Sequence, residues 1–110
     1  MRYFLIDEIT DSDLKRIKVI LKQDAMSSGL EQVFWVEVPD SHLSREQAEQ
    51  DDHKPYLFAV ECGKDWIKAE LFIRTLGDFK GVHQGYCTAS QREYKVEYIE
   101  GMIKELEIGT

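Results

Sequence analysis

The 110-residue sequence predicts an α+β fold, a two-layer sandwich in which a mixed or antiparallel sheet of four to five strands carries two main helices on one face. Three observations predict it. Amphipathic helical stripes occur near both ends of the chain, the region 56–74 alternates like a β-hairpin, and the elements follow the order β-α-β-(α)-β-β-β-α. The length suits a single α+β domain over 1–110, because domains cluster at roughly 100–150 residues.

An amphipathic helix is predicted after a short apolar strand at 3–6. Thr10 can cap this helix, and Asp13 three residues later suits both a capping box and the positive end of the helix. Its apolar stripe consists of Leu14, Ile17, Ile20 and Leu21. If the strands on either side are parallel, their connection should be a right-handed crossover.

Residues 33–38 are rich in β-branched and aromatic side chains and are apolar on both faces, which is typical of a central strand. Pro39 ends this strand and opens a polar excursion at 40–54. Ser44 and Gln47 form a capping-box pattern there, so we expect a short polar helix. We interpret the excursion as a solvated acidic connection, with a mobile lid or a partner-binding element as the alternative.

The most informative pattern is a hairpin of strands 56–61 and 66–74. A two-residue turn at 63–64, with glycine first as type II′ requires, pairs Val60 with Ile67. This register puts only apolar pairs on one face and mixed pairs on the other. A slip of one residue would scramble the two faces, and this favours the register.

A second turn at 77–78 would extend the hairpin to a three-stranded meander. In that register Ala69 meets Tyr86 on the core face, and Phe72 meets His83 on the opposite face. The third strand is weakened by two glycines, which have low strand propensity.

The chain closes with a helix over about 90–107, capped by Thr88 or Ser90. Tyr94 and Tyr98 should project from its outer side, where they form a second candidate contact surface. The apolar stripe of the helix is predicted to consist of Val96, Ile99, Met102, Ile103 and Leu106.

The net charge of −7 opposes binding to nucleic acid, because phosphate contacts rest on Lys and Arg. Such binding would require the basic residues at 15–22 to dominate locally. Apolar runs such as 33–36 are far shorter than the ~20 residues of a membrane-spanning helix. The first ten residues do not resemble a signal peptide, so we expect a cytoplasmic protein without a membrane partner.

The two cysteines are expected to be free thiols, as in cytosolic proteins. Cys62 falls on the core-face parity and Cys87 on the opposite one, which argues against a disulfide. A metal site at His83 and Cys87, with His53 in reserve, is disfavoured because residues four apart on a strand lie ~13 Å apart. We therefore expect neither a metal nor a cofactor.

The sheet face opposite the helices is the candidate functional surface. It is either uncovered or covered by the polar excursion, and an exposed apolar patch usually marks a contact surface. The interface or ligand candidates are Glu61, Trp66, Lys68, Glu70, Phe72, Arg74 and His83.

No phosphate loop, nucleophile elbow or zinc-protease motif occurs in the sequence, so no catalytic residue is assigned. The sequence favours a non-catalytic binding or interaction module that forms a homodimer, or binds a protein partner, through the candidate surface. The alternative is a small enzyme or small-molecule-binding protein with a pocket around His83, Glu70 and Arg74.

Overall fold

A computed structural model describes residues 2–27, 29–30, 32–49, 55–75 and 85–109. The predicted turn at 77–78 and the candidate residues His53 and His83 lie outside the described residues. The elements are β1 (Tyr3–Ile6), α1 (Asp11–Asp24), β2 (Met26–Ser27), β3 (Val33–Glu37), a 3-10 turn (Asp40–His42), α2 (Arg45–Glu49), β4 (Tyr56–Cys62), β5 (Ile67–Glu70), β6 (Phe72–Thr75), β7 (Gly85–Tyr86) and α3 (Ala89–Glu105).

The strands of the described residues form an antiparallel sheet, with β1, β5, β4, β3 and β2 side by side in that order. Beyond β5, the strand β6 continues along β4, and β7 pairs with the other edge of β6. The α+β prediction is confirmed. Three antiparallel pairings separate β1 from β3, so these two strands run in opposite directions and the conditional parallel crossover does not occur.

The core lies between one face of the sheet and the helices α1 and α3. Helix α1 begins as predicted, with the Asp13 N–H donating to the Thr10 hydroxyl at 3.2 Å. Both helices and four strands contribute buried side chains because each presents an apolar stripe or face to the other layer. These side chains include Leu14, Ile17, Leu21, Phe34, Val36, Phe58, Val60, Ile67, Ala69, Ile99 and Met102.

The predicted register of the first hairpin is wrong by two residues. Val60 pairs with Ala69, not with Ile67, and Cys62 is the partner of Ile67. The turn is one residue further along than predicted, because the Gly63 N–H donates to the Trp66 carbonyl at 2.8 Å. A shift of two residues returns every side chain to the same face, so the predicted division into two faces survives the error.

The predicted register of the second hairpin is also wrong, and here the parity changes. Phe72 pairs with Tyr86, and Ile73 pairs with Gly85. Tyr86 therefore shares the face of Phe72, not the core face. The Cys87 N–H donates to the Leu71 carbonyl at 3.2 Å. In this register Cys87 has the core-face parity that was predicted for Cys62 only. Both cysteines are free thiols.

Tyr94 and Tyr98 do not project outward from α3 as predicted. Both are half-buried and meet the Phe58 ring of β4 edge-on, with ring centroids 6.3 and 6.2 Å away. The buried stripe of α3 instead runs through Gln91, Lys95, Ile99 and Met102. Of the five residues predicted for the stripe, Val96, Ile103 and Leu106 are only half-buried.

The described part of the polar excursion packs on α3. Ser44 and Gln47 form the predicted capping box of α2. The Gln47 N–H donates to the Ser44 hydroxyl at 3.2 Å, and the Ser44 N–H donates to the Gln47 side-chain oxygen at 3.0 Å. The Gln91 side-chain amide donates to the Gln47 side-chain oxygen Oε1 at 2.8 Å, and the His42 ring stacks on Tyr94 at 5.0 Å between centroids. Residues 40–49 therefore lie against the helical layer and not on the opposite face of the sheet.

Gly63 is the position in the hairpin at which an added side chain would collide with the Trp66 ring. A Cβ there would lie 2.0 Å from the Trp66 ring. We predict that Gly63→Ala lowers the free energy of unfolding by about 1–3 kcal/mol, the usual cost of overpacking, and changes the Trp66 fluorescence.

Gly101→Ala is the matched control, because nothing lies within 4 Å of a Cβ at this position in α3. Alanine there should raise stability by roughly 1 kcal/mol through helix propensity. Equal effects of the two substitutions in urea denaturation would contradict the close approach of Gly63 and Trp66.

Candidate functional site

The site is built around an irregularity in the strand that connects β5 to β6. Val60 faces Ala69 and Leu57 faces Arg74, so three steps along β4 correspond to five steps along the opposite chain. Two extra residues are accommodated as a β-bulge centred on Leu71, where the strand bends. A bulge interrupts the regular ladder, so backbone groups near it need other partners.

On the β4 side of the bulge, the Glu70 carboxylate accepts a hydrogen bond from a backbone N–H of β4. Its Oε1 accepts the Ala59 N–H at 2.9 Å and so replaces a backbone carbonyl in the ladder. The Arg74 Nε donates to both carboxylate oxygens, at 2.9 and 3.2 Å, and neutralises the charge. Glu70 is buried, and a buried carboxylate requires such partners. Both charged groups are therefore engaged in holding the strand.

Lys95 of α3 provides hydrogen bonds to the backbone carbonyls of the bulge from the helical side. Its side chain is fully buried, and its ammonium donates to the carbonyls of Glu70 and Phe72 at 2.7 and 2.8 Å. The same Nζ lies 4.6 Å from the centre of the Phe58 ring, where a cation is attracted to the π face. Helix α3, β4 and the bulge thus meet at one buried charge.

The pKa of Lys95 is lowered by burial, which disfavours the charged form. The nearby Cys87 side chain and the Glu70 carboxylate act in the opposite direction, while Arg74 lowers the pKa further. The ammonium is held by carbonyl oxygens and has no direct ion pair among the described residues.

The opposite surface of the sheet, which we call the outer face, comprises the outward side chains of β1 to β7. The Lys68 ammonium lies over the Tyr3 ring at 4.1 Å and near the Trp66 ring at 5.1 Å. It is also 3.9 Å from a Glu61 carboxylate oxygen. A depression of about 160 Å³ opens beside these groups, and it is lined by Tyr3, Ala59, Glu61, Lys68, Glu70 and Arg74.

The outer face brings together six of the seven predicted site residues. Phe72 lies beside the depression, with its ring 5.5 Å from that of Tyr86 and 4.9 Å from the Arg74 guanidinium carbon. Trp66 lies at the hairpin end, beside Lys68. Only His83, outside the described residues, is without a position. Leu57 of β4 belongs to the set of side chains that point to the outer face, yet it is fully buried. The part of the outer face around Leu57 is therefore covered.

The large exposed apolar side chains of this face were not predicted from the sequence. Tyr3 and Leu5 of β1 are 47% and 49% exposed, and their partners in β5 are Glu70 and Lys68. Met26 and Tyr86 are also exposed on this face, at 42% and 54%. Period-two alternation at 3–6 was the available signal, but four apolar residues in a row conceal which side faces water.

Lys95 was missed as well. It lies four residues before Ile99 and seven before Met102, so helical periodicity places it inside the apolar stripe. A long cationic side chain is ordinarily solvated, and this general expectation outweighed the spacing. Its partners exist only because the bulge frees two carbonyls.

In the described residues, no three His, Cys, Asp or Glu side chains gather where they could hold one metal ion. None of the helices in that part of the chain combines the length and apolar character needed to span a bilayer. No protein-family model, curated protein or solved structure matches this chain.

We predict that Lys95→Met lowers the free energy of unfolding by roughly 2–6 kcal/mol, since two buried carbonyls lose their donor at about 1–3 kcal/mol each. Lys104→Met, on the exposed side of the same helix, should stay within about 0.5 kcal/mol of the parent. Urea denaturation of the two variants makes the comparison. Equal stabilities would mean that the bulge does not depend on this ammonium.

A pH dependence follows from Cys62, which is buried in the core. Burial raises the pKa of its thiol from 9.0 to about 11. The unfolded thiol therefore loses its proton first, and stability should fall by on the order of 2 kcal/mol as pH rises from 9 to 11. In Cys62→Ala this part of the alkaline loss should vanish, whereas Cys87→Ala should retain it. Parallel stability curves for Cys62→Ala and the parent would refute the assignment.

Proposed function

We propose that this chain is a non-catalytic binding module that self-associates, with a second copy of the chain covering the outer face. The observation that carries the proposal is the distribution of exposed apolar side chains. Of the six large ones exposed in the described residues, four lie on the outer face, namely Tyr3, Leu5, Met26 and Tyr86. Tyr3, Leu5 and Tyr86 lie on β1 and β7, whereas Met26 lies on β2 at the opposite edge of the sheet. Exposed apolar groups that share one face are typical of a contact surface.

The charge distribution favours a second copy as the occupant. Two copies of a chain with net charge −7 repel one another, so a contact needs a surface on which the charge is balanced. The charged groups that line the depression are two carboxylates and two cations, paired as Glu61 with Lys68 and Glu70 with Arg74. In a two-fold contact the same patch meets itself, and a balanced patch is compatible with that symmetry.

The alternative is a small enzyme or small-molecule-binding protein that uses the depression. Its four charged lining residues favour this reading, and all four were candidates from the sequence. Two features weigh against it. The depression of about 160 Å³ is smaller than the ~300–1,000 Å³ typical of ligand pockets. The Glu70 and Arg74 side chains are also occupied by the bulge, so they are poorly placed to act on a ligand.

We also propose a cytoplasmic location. Two free thiols, one of them half-buried, suit a reducing compartment.

Leu5→Glu tests the self-association. The new carboxylate faces Lys68 within the same chain, so the fold should persist while the apolar contact is lost twice per two-fold interface. In sedimentation velocity we expect a dimer for the parent and a dissociation constant raised at least ~10-fold for the variant, from about 1.5–3 kcal/mol per lost leucine contact.

Val19→Glu is the matched control. Val19 is 55% exposed on α1, away from the outer face, so the same change there should leave the dimer intact. A parent chain that stays monomeric at every soluble concentration overturns the proposal. So does equal dissociation by Leu5→Glu and Val19→Glu.

A further inference from the structure

A second concave site lies on the helical side of the sheet, separate from the outer face. It opens between α1 and the end of β4, where the hairpin turn begins, and has a volume of about 370 Å³. This size falls within the range of small-ligand sites, roughly 300–1,000 Å³. The cleft is lined by Asp11, Leu14, Lys15, Lys18, Gln32, Cys62, Gly63 and Lys64.

The rim of the cleft is positive in a strongly acidic chain. Lys15 and Lys18 come from α1 and Lys64 from the hairpin turn, so two distant parts of the sequence place ammonium groups around one cavity. Of the lining residues that the structure describes, only Asp11 carries a carboxylate. It pairs with Lys15 at 3.2 Å, in a contact so exposed that solvent weakens it.

Lys18 and Lys64 make no hydrogen bond or ion pair within the part of the chain that the structure describes. Three ammonium groups and one carboxylate leave the rim with a charge of 3 − 1 = +2. Clefts lined by one sign of charge concentrate the field and attract an opposite charge. Among the residues that the structure describes, the lining holds no second carboxylate beside Asp11, so a dianion would match the rim.

The floor of the cleft is apolar. Leu14 and Cys62 are each 2% exposed and belong to the core. The Cys62 thiol is neutral near pH 7, and burial raises its pKa further, from 9.0 to about 11. The floor therefore adds no negative charge that would repel an anion. The Cys62 N–H already donates to the Gln32 carbonyl at 2.9 Å, so this part of the wall is held by the backbone.

We propose that this cleft binds a small organic phosphate, with the phosphate dianion at Lys18 and Lys64 and the apolar part of the molecule against Leu14. A phosphate monoester carries a charge of about −1.5 to −2 at neutral pH, which matches the +2 of the rim. Three point-charge donors without a fixed fork suit a tetrahedral phosphate group in several orientations. The site is independent of self-association through the outer face.

Titration of the full chain with phenyl phosphate, followed by ¹H–¹⁵N NMR, tests the proposal. We expect saturable shifts at the amides of Lys18, Cys62, Gly63 and Lys64. Inorganic phosphate, which lacks the apolar part, should bind roughly tenfold more weakly. The double variant Lys18→Gln/Lys64→Gln should weaken phenyl phosphate binding by roughly tenfold or more, because two ammonium contacts are lost.

Lys22→Gln/Lys104→Gln removes the same charge from exposed positions outside the lining and should leave the affinity nearly unchanged. Equal weakening by the two double variants would show general attraction by charge and overturn the site. Absence of saturable shifts would also overturn it. Equal binding of inorganic and phenyl phosphate would overturn the organic part of the proposal. The spectra of the variants report whether they remain folded.

Discussion

The buried ammonium of Lys95 is the interaction on which the architecture depends. A bulge in the strand between β5 and β6 frees two carbonyls inside the core, and an unpaired buried carbonyl is costly. One side chain from α3 satisfies both. On the other side of the same bulge, Glu70 fills the gap in the ladder with its carboxylate, and Arg74 neutralises it. The bend of the sheet, the position of α3 and the charges of the outer face therefore have one origin.

The faces of the sheet could be predicted from the sequence, whereas its register could not. Alternation has a period of two, so a shift of two residues keeps Val60 and Ala69 on the core face although their partners change. The position of the turn depends on how Gly63 packs beside Trp66, which alternation does not contain. The second predicted register was wrong by an odd number of residues, so the parity changed. Phe72 pairs with Tyr86 instead of His83, and Tyr86 therefore lies on the same face as Phe72.

For the candidate surface, the residues of the predicted hairpin could be placed together from the sequence, whereas those contributed by other strands could not. Glu61, Lys68, Glu70 and Arg74 were expected on one face because the predicted hairpin alone brings them together, and they line one depression. Tyr3 joined them through β1, an edge strand whose pairing with β5 joins distant parts of the sequence. The cleft beside α1 was hidden for a similar reason. Lys15 and Lys18 lie close together on α1, but Lys64 reaches them only through the fold.

The position of Lys95 also has a consequence for how the molecule opens. Helix α3 cannot leave the sheet without uncovering two carbonyls and an aromatic ring that share a single cation. Separation of the layers and loss of the bulge should therefore be one cooperative event, not two successive ones. In native-state hydrogen exchange, the amides of α3 and of the centre of β4 would belong to the same unfolding unit. The ends of β1 and β2, at the two edges of the sheet, would exchange through smaller fluctuations.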